Sequence, residues 1–192
     1  TGYDGVSKFG DISFSQATSV EVSGEGGGNV QLQGRQISLQ EDSVILADTL
    51  GKGNGGSFSV EASESVEIIG NSISFLTGFI SGVEVGATGD AGNIDIETPK
   101  LSLLKGARVD SRTIGSGNAG NINLKVDNLA LRDGSQIGVG TFASGNGGNL
   151  TAIAADSVEI AGFDDNNFPS GLFSSADADS TGNAGNLRIK TP

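Results

Sequence analysis

Two pairs of carboxylates, Asp164-Asp165 and Asp177-Asp179, stand close together in a chain that has no histidine and no cysteine. Paired carboxylates can cleave a glycosidic bond when they flank it at roughly 5 to 10 Å. Adjacent aspartates in a loop do not secure that spacing, so the sequence assigns no catalytic residue and reads as non-enzymatic. The same four oxygen-rich residues are candidate calcium ligands, since calcium takes carboxylate and carbonyl oxygens. Absence of His and Cys excludes Ser-His-Asp and Cys-His triads and thiolate zinc sites. The Gly-x-Gly strings lack the Gly-Lys-Ser/Thr ending of a phosphate loop. No cofactor is expected.

Which elements hold these residues is decided by a repeat. The motif Gly-Asn/Asp-Ala/Gly-Gly-Asn-apolar occurs as Gly89 to Ile94, Gly117 to Ile122, Gly145 to Leu150 and Gly182 to Leu187, with degenerate versions ending at Val30 and Phe58. Its last polar position runs Asp11, Asn29, Ser57, Asn93, Asn121, Asn149, Asn186, a basic period of 28 residues with longer units of 36 and 37. Periods of 20 to 50 residues mark solenoids.

Within a unit, apolar residues fall at alternating positions, as in Ile122 and Leu124, then Leu129 and Leu131, then Ile137 and Val139. Period-2 patterning puts one apolar face on each short strand. Three such segments per turn, stacked in register, predict an all-β, right-handed parallel β-helix of three short strands per coil and about six to seven coils. Residues 1–192 form one solenoid, a rod on the order of 30 Å long at the inter-strand spacing. Coils start near 11, 29, 57, 93, 121, 149 and 186, with insertions at about 69–82 and 161–175. The first unit, only 18 residues long, is expected to lack its third strand, with Val20-Glu21-Val22 as its second.

Glycine at the corner is expected to supply positive φ. Stacking would pile Asn29, Asn93, Asn121, Asn149 and Asn186 into a structural ladder, about 4.8 Å per step. A second column holds Thr49, Thr113 and Thr141, and an outward array of such threonines would be needed for an ice-binding face. Phe75, Phe79, Phe163, Phe168 and Phe173 fall in or beside the insertions and could decorate one side of the rod.

Net charge of −12 and a pI near 4.2 disfavour nucleic acid and anionic membrane surfaces as partners. No apolar run reaches the roughly 20 residues of a membrane-spanning helix, so no membrane insertion is expected. With no signal peptide at its start, the chain reads as a fragment of a longer array.

Units built from Gly-Asn-Ala-Gly-Asn-Ile, a Leu-x-Leu strand and a Lys105-Gly106 or Asp133-Gly134 turn resemble the repetitive passengers of filamentous haemagglutinin-like exoproteins, particularly cyanobacterial ones. The resemblance covers Phe9 to the end. It implies export by two-partner secretion through an outer-membrane transporter, a secreted or bacterial cell-surface location, and an adhesin shaft meeting a glycan or protein receptor. The family's secretion domain and receptor motifs are not matched here. The alternative implied by β-helices generally is a polysaccharide lyase, hydrolase or carbohydrate-binding module.

Overall fold

The structure, a computed structural model, describes residues 8–71 and 77–192. Among them are thirteen strands and no helix. Seven strands form the first sheet: β1 (Ile12–Phe14), β3 (Val30–Gln40), β5 (Phe58–Ile69), β7 (Ile94–Leu104), β9 (Ile122–Arg132), β11 (Leu150–Ala161) and β13 (Leu187–Lys190). Six form the second: β2 (Ser19–Glu21), β4 (Val44–Leu46), β6 (Gly78–Ile80), β8 (Arg108–Thr113), β10 (Gln136–Thr141) and β12 (Gly171–Ala176). The chain alternates between sheets, and each strand pairs in parallel with the next of its own sheet. That is a parallel β-solenoid.

The first two apolar segments of a unit run together as one strand of 11 or 12 residues in β3, β5, β7, β9 and β11. Pairing lapses between them, at Gly34/Gln36, Glu61/Ser65 and Ala154/Ser157. Pro99 occupies the unpaired step between Thr98↔Val126 and Lys100↔Asn128, where its missing N–H costs no ladder bond. Inward residues then stack like on like: Ile37, Val66, Leu101 and Leu129 form one buried column, and Ile45, Phe79, Val109 and Ile137 another. All belong to a single apolar core running through the coils. Phe58 and Phe79 meet inside it with ring centroids 5.1 Å apart.

Three expectations need correction. First, Ile12 pairs with Ile37 and Val20 with Ile45, so the opening unit begins at the second segment. It lacks its first strand, not its third, and Asp11 is not at the Gly-Asn corner.

Second, the third strand starts earlier than the insertions allow. Gly78–Ile80 and Gly171–Ala176 already lie in the second sheet. The added length is also distributed. Gln40 and Val44 are four residues apart where their partners Ile69 and Gly78 are nine apart, and Arg132 and Gln136 are four apart where Ala161 and Gly171 are ten. The rest enters as one residue in the long strand and two at the Gly-Asn corner.

Third, the motif glycines do not sit at positive φ; those that do include Gly106 and Gly134 at the other corner. There Lys105-Gly106 and Asp133-Gly134 take positive φ at both positions, as two-residue type I′ turns require. Glycine in the motif serves close approach. A Cβ on Gly120 would overlap the carbonyl oxygen of Gly92, and one on Gly148 that of Gly120. Thr49, Thr113 and Thr141 are fully buried and point inward, so their column offers no outward array. The Thr113 hydroxyl donates to the Gly117 carbonyl at 2.7 Å, closing the corner from inside.

Candidate functional site

Asparagines at the corner bond up the rod. Asn121 gives its backbone N–H and its amide to Asn93 Oδ1 at 2.8 and 3.1 Å, and Asn149 does the same to Asn121 and Asn186 to Asn149. Asn29 accepts from the N–H and hydroxyl of Ser57. A second column, Asp90, Asn118, Asn146 and Asn183, runs beside it with the same geometry. The motif's first Asn/Asp position was the available signal for it. Both columns are structural: each side-chain oxygen satisfies a backbone N–H of the next coil.

The two pairs of calcium candidates lie at opposite ends of β12. Asp164 precedes β12, and its Oδ1 accepts from the N–H groups of Asn166 and Phe168, both at 2.9 Å, holding the loop. Asp177 follows β12, with its N–H on the Thr141 carbonyl. Six strand residues, about 20 Å, separate the pairs. Asp165 and Asp179 are exposed. Among the described residues no three His, Cys, Asp or Glu gather to hold a metal ion.

The phenylalanines divide. Phe79 is a core residue, fully buried, and so decorates nothing. Phe163, Phe168 and Phe173 are exposed, the last on β12 and not in a loop. Phe75 lies outside the described residues.

Chemistry concentrates instead on the outer face of the second sheet. β8 alternates Arg108, Asp110 and Arg112 outward with Val109 and Ser111 inward, the period-2 rule of any strand. Parallel register sets Asp110 between Ile80 of β6 and Gly138 of β10. Asp110 is only 5% exposed there. Its Oδ2 pairs with Arg112 Nη2 at 2.6 Å, while its Oδ1 is buried without a hydrogen-bond partner. Burial pushes the Asp110 carboxyl above the ordinary aspartate range, against the pull of Arg112 and Arg108. Asp48, at the far end of the same face, is raised by burial too, although its Oδ1 accepts the Gly82 N–H at 2.7 Å. Burial also lowers Arg108, whose Nη1 donates to Gln136 Oε1.

Two adjoining hollows of about 290 and 310 Å³ share Asp110, Arg112 and Phe142 and form one groove. The Arg112 guanidinium lies 5.7 Å from the centroid of the Phe142 ring, which is 42% exposed. Phe173 stands on the other side. A carboxylate with a free acceptor, guanidinium donors and flanking rings can bind a polar ligand and orient it. None of these residues except Phe173 was singled out from sequence.

The sequence matches no protein-family model and no curated protein, and the fold matches no solved structure.

Proposed function

We propose that the chain is a shaft segment of a secreted bacterial surface adhesin, non-catalytic, that holds loops and one sheet face outward for attachment. The carrying observation is the column structure: like residues stacked from coil to coil, in the core and in two hydrogen-bonded Asn ladders. Such stacking makes a stiff, extensible rod whose outer face is free to vary, the physical requirement of a shaft. Exposed Phe163 and Phe168 on a loop held by Asp164 are consistent with attachment by loops on a rigid scaffold. Export through an outer-membrane transporter and receptor contact at the cell surface belong to the same reading.

Beads carrying the purified chain test this. They should adhere to cells or surfaces several-fold better than bare beads, and Phe163→Ser with Phe168→Ser should lower adherence. Beads no stickier than controls on every surface tried would defeat it.

A second reading has one observation in its favour: Asp48 and Asp110 face one groove, and burial raises the pKa of both, as in sites for acid–base work. It makes the chain a β-helix carbohydrate-active enzyme. Release of reducing ends from polysaccharide, abolished by Asp110→Asn, would establish it and displace the first.

A further inference from the structure

Gly138 occupies the middle of strand β10, where a residue without a side chain weakens the strand and marks a place that another group approaches. Here no part of the described chain fills the space. A Cβ at Gly138 would meet only Asp110 Oδ1 at 3.8 Å and the Phe173 Cβ at 3.9 Å, both ordinary contacts. Its φ is not positive, so backbone conformation does not demand glycine. The gap therefore sits above Gly138, bounded on one side by the unpartnered oxygen of a nearly buried carboxylate and on the other by an aromatic residue.

We propose that this groove binds a neutral saccharide. A carboxylate only accepts hydrogen bonds, so Asp110 Oδ1 calls for a ligand O–H or N–H. Arg112 and Gln136 carry further N–H groups beside it, beyond those given to Asp110 Oδ2 and the Pro169 carbonyl, and these call for lone pairs. A hydroxyl is both donor and acceptor, and a pyranose pairs its hydroxyl edge with an apolar C–H face of the kind that packs on a phenylalanine ring. Phe173 and Phe142 supply such rings on either flank.

Charge selects against anions. Two guanidinium groups, Arg108 and Arg112, face the groove with three carboxylates, Asp48, Glu84 and Asp110, and Asp110 already neutralises Arg112. Over the groove as a whole a uronate or sulfate finds no excess of positive charge. A peptide adding as an extra strand is shut out, because β8 and β10 are hydrogen-bonded on both edges. Such a site is what an attachment shaft would use, and the assignment rests on that reading.

The test applies the purified chain to a printed array of neutral and anionic glycans, then follows the best neutral ligand by saturation-transfer NMR. Wild type should bind at least one neutral glycan and prefer it to its uronate or sulfated counterpart. Gly138→Val fills the gap with a residue that strands favour, and should weaken binding at least tenfold with an unchanged circular dichroism spectrum. Asp110→Asn should weaken it severalfold. Failure of every neutral glycan, preference for anionic ones, unimpaired binding by Gly138→Val, or turnover of the bound glycan overturns the proposal. Glycan binding without bead adherence would sink the adhesin reading alone, and bead adherence with glycan binding unimpaired by Gly138→Val would sink only the groove.

Discussion

At Gly120 a Cβ would run into the carbonyl oxygen of Gly92, and Gly148 and Gly185 repeat the same contact with the glycine one coil earlier. Backbone atoms cannot swing aside as a flexible side chain can, so the coils would have to part. Gly120→Ala should therefore cost more than about 3 kcal/mol, the range reserved for overpacking and strain, measured as a lowered denaturant midpoint. Gly138→Ala, by contrast, meets only ordinary contacts in a strand and should be neutral or stabilising by about 0.5–1 kcal/mol. Equal losses for the two alanines would refute the close-approach account of the motif. In the sequence Gly120 stands between Ala119 and Asn121 and Gly138 between Ile137 and Val139, and neither setting shows a close approach from another coil, which is why positive φ was the natural first expectation for the corner.

Strand β8 carries a row of charge, Arg108, Asp110 and Arg112, with Asp164 near Arg108 and Asp48 near Asp110. Burial favours the protonated form of Asp110 and Asp48 in the folded chain. Between the ordinary aspartate value of 3.8 and the raised folded value, the folded chain holds protons that the unfolded chain has released. Stability attributable to these groups thus falls as pH rises through that interval, and is fully present below it. Melting temperatures taken in steps from pH 7 down to pH 4 should rise for wild type by more than for Asp110→Asn. A wild-type curve parallel to the variant's would show that Arg112 and Arg108 cancel the effect of burial. The row was not legible in advance, because Arg-Val-Asp-Ser-Arg reads as any half-exposed strand. Asp110's register neighbours, Ile80 and Gly138, are contributed by two other coils. What alternation along one strand could reveal, namely which of Leu129, Leu131, Ile137 and Val139 face inward, it did reveal. The opening unit misled for a local reason: Gly10-Asp11-Ile12 has the Gly-polar-apolar form of the corner, yet Gly10 lies beside Gly34 and Arg35, at the bend of the long strand.

For the molecule as a whole, every hydrogen-bonded strand pair joins neighbours of the same sheet, so each coil's partners are the coils on either side. Stability should then be a sum of coils and interfaces, and the number of coils a free variable. Removing residues 93–120 takes out β7 and β8 as one whole turn and joins Gly92 to Asn121. β5 then faces β9 and β6 faces β10, with Phe58 against Ile122 and Phe79 against Ile137 in place of Ile94 and Val109. Asn121 takes the place of Asn93 after the corner glycine, so both Asn columns close up by one step. This shortened chain should fold, give an undiminished β signal per residue and unfold in one cooperative transition. Removing residues 93–106 instead takes β7 without β8, joins the corner directly to the second sheet, and leaves β5 without a partner on that side. That chain should lose its cooperative melt or aggregate through the bare edge. If the half-turn deletion proved as stable as the whole-turn one, stacking in register would not be what holds the rod together.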